Sequence, residues 1–221
     1  MNELERNATK CKGGVFAGID WGQDTNNSYT VVVLGGYFPQ GFQIFFAHRF
    51  VGVDKDFDIQ KVKIEELLGT VGFRLAGADY GGGFGRNDYL VKCFGHEKLA
   101  RYQYNSDPKS KIVWNPAKWR FMLHRSDIMT DIFTAMKEKK IWLPNWGQFD
   151  DPYGKDIRNI FSEYNVRRMM IQYNNKQGKP DDTFHAILYC LLASMLVRPR
   201  FDIILPTKEG AVNFSRPDVL G

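Results

Sequence analysis

The 221-residue sequence is poor in features that would class it at a glance. It holds three cysteines, Cys11, Cys93 and Cys190, widely spaced and with no CxxC pair. Such usage excludes a disulfide framework and points to a reducing cytoplasm. The longest apolar run, Ala186 to Val197, is 12 residues and is interrupted by Ser194. A bilayer span needs about 20, so no membrane role is expected. The opening MNELERNATK is polar and lacks the basic-then-apolar order of a secretion signal. There is no GxxxxGK[ST], which excludes a P-loop ATPase. No internal repeat, low-complexity tract or Pro/Ser-rich linker divides the chain. One domain is therefore expected over residues 14–205, with 1–13 as a flexible lead-in and 206–221 as a C-terminal tail.

What is present suits a packed, mildly basic protein. Apolar residues make up 43% and aromatics 14%, and the net charge is +5. A basic excess fits a nucleic-acid partner, although alone it is weak evidence. Its distribution says more. Lys109, Lys111, Lys118, Arg120 and Arg125 are interleaved with Trp114, Trp119 and Phe121, and Arg167, Arg168, Lys176 and Lys179 follow. Cations around an acidic cluster make sense where a polyanion is held over metal-binding carboxylates. Arg125, Lys176 and Lys179 are the candidate phosphate contacts. Trp114 and Trp119 are expected in the core, with DNA stacking as the alternative.

The pattern begins with three β-branched and aromatic runs, VFAGID, YTVVVLGGYF and GFQIFFAHRF, separated by turn residues. They predict an antiparallel meander over residues 14–51. Apolar residues at helical spacing predict a helix over 58–72, stopped by Gly72. A strand in FRLAGADYG, a short helix ending at Gly95, a strand in LARYQY and a possible strand in KIVWN come next. A helix over about 124–140 is expected to be capped by Ser126 or Asp127, and IWLPN reads as extended. A helical stretch near 154–165 and a possible strand in MMIQY precede the polar loop NNKQGKP and a last helix from Asp181 to about Val197. This order indicates a mixed α/β sheet with helices on its faces.

The acids fall at telling places. Asp20 and Asp79 both close strand-like runs in the pattern G-x-D-aromatic-G, as GIDWG and GADYG. An Asp closing a buried strand is costly unless something uses its charge. A turn-initiating Asp is the bland alternative for either one alone, and Asp24 is either an accessory acid or a turn former. In KPDDTFHAILYC, Asp181 and Asp182 lie four and three residues before His185, so all three can share one side of the first helical turn. Capping explains one Asp but not two acids and a histidine. Carboxylates from separate elements suit hard cations, Mg²⁺ or Mn²⁺. Two such ions, about 4 Å apart, are the machinery of phosphodiester hydrolysis. In that scheme Asp20 bridges both ions, and Asp79 and Asp182 each hold one. Asp181 or His185 completes a shell, orients water or assists proton transfer.

The stretches GIDWG (18–22), GADYGGG (77–83), RFMLHRSDIM (120–129), FSEYN (161–165) and PDDTFHAILYC (180–190) resemble the C-terminal nuclease domain of tailed-phage large terminases, within the ribonuclease H-like superfamily. The likeness runs from about residue 14 to 205. It implies a ribonuclease H-like fold. It also implies a metal-dependent endonuclease that cuts double-stranded DNA, with little sequence preference, during viral genome packaging in the host cytoplasm. Asp20, Asp79 and the Asp181/Asp182 pair match the family's metal-binding acids. Relatives often carry a further acid where this chain has His185. The implied partners are an N-terminal ATPase motor, which this sequence lacks, a small terminase subunit and a portal.

Three other readings remain open on the residues. GIDWG and DYGGGFG also resemble the two phosphate loops of the actin-like ATPase and kinase superfamily, which does not account for PDDTFHA. Junction resolvases and transposases share the superfamily's chemistry. A non-catalytic DNA-binding scaffold would leave the acids unused.

Overall fold

The computed structural model describes residues 2–22, 27–105, 110–167 and 169–197. The expected lead-in is instead structured: residues 1–13 include helix α1 (Glu3–Lys10) and the start of strand β1 (Lys12–Asp20). A local signal explains the helix, because Asn2 and Glu5 form a reciprocal capping box. Strands β2 (Val31–Phe38) and β3 (Gly41–Arg49) complete the antiparallel meander the alternation predicts. Helix α2 (Phe57–Val71) is capped by the Asp56 carboxylate and ends at Gly72, whose φ of 60° is the left-handed conformation glycine allows. Strand β4 (Leu75–Asp79), helix α3 (Phe84–Phe94), strands β5 (Leu99–Asn105) and β6 (Ile112–Asn115) then follow.

Two elements depart from the sequence reading. Arg120–His124 is a strand, β7, set by parallel pairing with β5 and antiparallel pairing with β6. Helix α4 (Arg125–Lys137) starts directly from it, with His124 at the cap position and no capping side chain. Ser126 and Asp127 therefore lie within the first turn, where Asp127 complements the helix dipole. After the short strand β8 (Ile141–Trp142) come the one-turn helices α5 (Trp146–Phe149) and α6 (Lys155–Arg158), joined across a kink at which Asp151 is extended. The helical stretch expected to reach 165 stops there. Ile160–Asn165 is strand β9, which pairs with β10 (Met170–Asn175) as a separate antiparallel hairpin. Helix α7 (Asp182–Val197) closes the described chain.

The main sheet has eight strands in the order β6-β7-β5-β4-β1-β2-β3-β8, mixed in direction. Side chains alternate across it, as a pleated strand requires. Along β1, Phe16 joins the core on the α7 and α4 face, while Val15, Ala17 and Ile19 join the core that takes in Ile64 and Leu68 of α2 and Leu90 of α3. Helix α7 is buried continuously from Asp182 to Met195. An interior Leu or Ile there contributes about 1.5–3 kcal/mol of hydrophobic stabilisation. Among the described residues no helix is long and apolar enough to cross a bilayer.

Candidate metal centre

The parallel pairing of β1 and β4 aligns Ile19 with Ala78, so the next residues, Asp20 and Asp79, stand side by side where the two strands end. Helix α7 crosses these strands closely because of Gly18 and Gly77. A Cβ at Gly18 would run into the backbone at Ala186 and Cys190, and one at Gly77 into that at Tyr189. The glycine two residues before each aspartate thus lets the helix lie against the strands and brings its acidic start over their ends. Asn87 of α3 ties the ends together. Its Oδ1 accepts from Trp21 Nε1 at 2.9 Å, and its Nδ2 donates to the Asp79 carbonyl at 2.8 Å.

Asp20 is the least compensated group in this arrangement. Burial pushes its carboxyl well above the usual range, and Asp182, Asp79, Asp181 and Asp156 all add to the rise. Among the described residues no hydrogen bond or ion pair reaches it. Asp79 Oδ2 accepts from Gly82 N at 2.6 Å, which folds the following loop back over the strand end. Asp182 accepts from Tyr29 N at 3.1 Å and from the Ser28 hydroxyl at 3.3 Å. Burial nevertheless pushes its carboxyl up to about 6, with Asp181 and Asp156 contributing and the Tyr29 N–H opposing.

Asp181 behaves in the opposite way. Burial would raise it, but the His185 hydrogen bond, the His185 charge and Arg125 together carry it below the usual range. His185 Nε2 lies 3.3 Å from Asp181 Oδ2, and its Nδ1 lies 2.7 Å from the Tyr104 hydroxyl. Burial pushes the Tyr104 hydroxyl up, so it stays protonated, and its hydrogen bond with Nδ1 takes whichever direction the imidazole's protonation sets. Both imidazole nitrogens are therefore engaged, and His185 acts on Asp181 instead of facing the cluster with a free nitrogen.

These contacts dispose of the capping explanation for PDDTFH. The Thr183 N–H at the start of α7 is taken by Asp156, at 3.3 Å, and the Thr183 hydroxyl donates to the same oxygen at 2.6 Å. Asp156 is only 1% exposed and is ion-paired with Arg49. The sequence offered no signal for Asp156, Arg49 or Asn87, since each acts through partners tens of residues away.

The donor set is all carboxylate oxygen around Asp20, which is what a hard divalent cation prefers. As the side chains stand, no three described His, Cys, Asp or Glu residues converge into a ready chelate. The acids are neighbours that repel one another, not a closed cage. Asp24, Lys109 and Arg168 lie outside the described residues. Arg125 sits at the edge of the cluster, 3.8 Å from Asp181 and 40% exposed. Lys176 and Lys179 are exposed in the loop before α7. Trp119, expected in the core, is instead 45% exposed, because Trp114 and His96 cover only part of its ring.

No protein-family model and no curated protein matches the sequence. Solved structures do match the fold. The large terminase nuclease from thermophilic phage G20c aligns with a TM-score of 0.55 at 14% identity, over 87% of this chain and 98% of that one. The same nuclease with bound magnesium aligns at 0.52, also at 14% identity, over 82% of each chain. The HK97 bacteriophage large terminase aligns at 0.55 and 9% identity, over 85% of this chain but 42% of that one. The chain thus spans less than half of that protein. An eight-stranded mixed sheet closed by a buried helix, with aspartates at the adjoining ends, has the ribonuclease H-like fold of large-terminase nuclease domains.

Proposed function

We propose that this chain is a metal-dependent endonuclease domain that cuts double-stranded DNA during viral genome packaging. The observation that carries the reading is Asp20: a half-buried carboxylate at a strand end, with acids for neighbours and no described group to balance it. Proteins bury charge where it is paired or used, and a cation is the partner this surrounding lacks. The magnesium in the G20c nuclease supports Mg²⁺ or Mn²⁺ as the ion.

In this reading Asp20, Asp79, Asp182 and Asp181 would hold two divalent cations. When bound, such ions lower the pKa of an attacking water and stabilise the leaving 3′ oxygen. The protein's own part is placement. Asn87 fixes the ends of β1 and β4, and Tyr29 and Ser28 fix Asp182. Tyr104 and His185 hold Asp181 deprotonated and oriented. Arg125, Lys176 and Lys179 are the proposed phosphate contacts. A motor ATPase, a small terminase subunit and a portal are the proposed partners, and the host cytoplasm the proposed site of action. The domain would cover residues 14–205, with α1 packed at its edge.

The actin-like reading is disfavoured by the loop amides. Gly22 N donates to Thr30 Oγ1 at 3.1 Å and Gly82 N to Asp79 at 2.6 Å, so both are spent internally instead of facing a phosphate. The test is cleavage of supercoiled plasmid in EDTA, Mg²⁺ or Mn²⁺. Nicking and linearisation that require metal and vanish in Asp20→Asn are expected. Equal cleavage by the variant, or none by the parent with either metal, would sink the proposal.

A further inference from the structure

Arg49 stands in the same cross-strand row as Asp20. The register pairs Asp20 of β1 with Val31 of β2, and Val31 with Arg49 of β3. Paired residues on adjoining strands project from one face of a sheet, and Val31 belongs to the core beneath α7. Arg49 therefore shares the α7 face with Asp20, two strands and about 10 Å away.

There its guanidinium meets both groups that hold the start of α7. It pairs with Asp156, whose carboxylate takes the Thr183 N–H and hydroxyl. It also lies over the Tyr29 ring, 4.6 Å from the centroid, and the Tyr29 N–H donates to Asp182 at 3.1 Å. Two consecutive residues, Asp182 and Thr183, are thus tied through one side chain. Lys55 lies on the same ring at 4.3 Å, but Arg49 is what joins the ring to Asp156. The tie works against a local force. After burial, Asp182 is the strongest influence raising the Asp20 carboxyl, so the repulsion between them favours withdrawal of α7 from the strand ends. A planar guanidinium paired through its N–H donors and stacked on its plane has little freedom to follow such a withdrawal. Arg49 holds this position at a cost to itself. Its Nε is buried with no hydrogen-bond partner among the described residues, and a buried orphan donor calls for an explanation.

We propose that Arg49 is a positioning residue for the metal centre, holding the Asp182 carboxylate at the Asp20 strand end through Tyr29 and Asp156. This rests on the nuclease reading and names a residue that reading does not use. Arg49 touches neither cation nor phosphate in this scheme. It acts by keeping two mutually repelling ligands together before a cation arrives. Groups that orient a metal ligand in this way change metal affinity by about 10–100-fold when removed.

The experiment measures Mn²⁺ binding by titration calorimetry for the parent protein, Arg49→Met, Arg49→Lys and Tyr29→Leu, at a temperature where melts in EDTA show each to be folded. Tyr29→Leu removes the ring and keeps the N–H that reaches Asp182. The expected result for Arg49→Met is Mn²⁺ binding weaker by about tenfold or more. Arg49→Lys keeps a cation beside Asp156 but not the planar stack, and recovers part of the affinity. Tyr29→Leu weakens binding by less than Arg49→Met. Binding of a short DNA duplex in EDTA, followed across a series of salt concentrations, stays parental in Arg49→Met. Parental Mn²⁺ affinity in folded Arg49→Met makes Arg49 a packing residue and overturns the proposal. A log K against log salt slope reduced by about one in that variant marks a phosphate contact instead, and also overturns it. If Arg49→Met does not fold, parental Mn²⁺ affinity in both Arg49→Lys and Tyr29→Leu overturns it. A parent protein that neither binds Mn²⁺ nor cuts plasmid overturns the nuclease reading and this proposal together. A parent that binds Mn²⁺ and cuts, while the variants keep its affinity, overturns this proposal alone.

Discussion

Two carboxylates lie near the start of α7, and they are opposites. Asp156 is 1% exposed but fully answered: Arg49 pairs with it, and the Thr183 N–H and hydroxyl donate to it. Asp20 is surrounded by Asp182, Asp79, Asp181 and Asp156, and burial and all four of these acids disfavour its charge. One acid belongs to the fold. The other stores repulsion that the fold tolerates. The pair teaches how to separate structural from functional charge: the more deeply buried acid is the compensated one, and the half-buried acid is not.

The sharpest way to break this comparison is to neutralise each acid in turn. Asp20→Asn should lower metal-dependent cleavage on the order of a thousandfold, since several kcal/mol of transition-state stabilisation depend on the ions it would hold. The same change should raise the melting temperature of the metal-free protein, because it removes a half-buried charge repelled by its acidic neighbours. Asp156→Ala should do the reverse to stability. It strands Arg49 in a site where that side chain is 11% exposed and strips the cap from α7. Breaking a buried pair in this way costs about 3–5 kcal/mol. Thermal melts in EDTA decide the matter: if both substitutions destabilise, the two acids are not different in kind.

A milder test uses pH. Burial and acidic neighbours push the Asp182 carboxyl up to about 6, and Asp20 also lies above its ordinary range. Between about pH 4 and 6 the folded state then binds more protons than the unfolded chain. Stability from this source is full at the acid end of the window and lost as pH rises through it. The loss from Asp182 is on the order of 1–3 kcal/mol. Asp181, held low, acts with the opposite sign but only below about pH 4. Melts of the metal-free protein should therefore show stability falling from pH 5 to 7, and Mg²⁺ or Mn²⁺ should restore it at neutral pH. A flat profile that metal does not change would mean the acids are already compensated, and Asp20 and Asp156 would no longer differ.

The sequence made parts of this legible because they have a period or a repeated motif. The meander reads from alternation, α7 from its unbroken apolar run, and Asp20 and Asp79 from their shared G-x-D-aromatic-G. The glycine in that motif has a physical reason visible only in three dimensions, since Gly18 and Gly77 admit α7. What escaped was non-local. Strand β7 is five residues whose extended form depends on pairing with β5 and β6, and β9 exists through β10. Asp156, Arg49 and Asn87 have no local signature, because their partners sit on other elements. Trp119 was misplaced for a related reason: aromatic composition favours burial, but although the Trp114 and His96 rings pack against it, it stays 45% exposed.

The smallest effect expected concerns Asp181, the cluster acid that resembles Asp156 in having partners. Its compensation runs through His185, whose far nitrogen is fixed by the Tyr104 hydroxyl at 2.7 Å. Tyr104→Phe removes that hydroxyl and keeps the ring that packs edge-on to His185. Losing one such hydrogen bond costs about 0.5–1.5 kcal/mol. Cleavage should slow roughly threefold to tenfold, because His185 is freer to leave Asp181. Substrate affinity should not change, since Tyr104→Phe keeps the ring over which Arg125, a proposed phosphate contact, lies at 5.6 Å. An unaltered rate would show that Asp181 needs no support from His185 and that Arg125, 3.8 Å away, suffices to hold it. A loss as large as that of Asp20→Asn would place His185 in the chemistry itself.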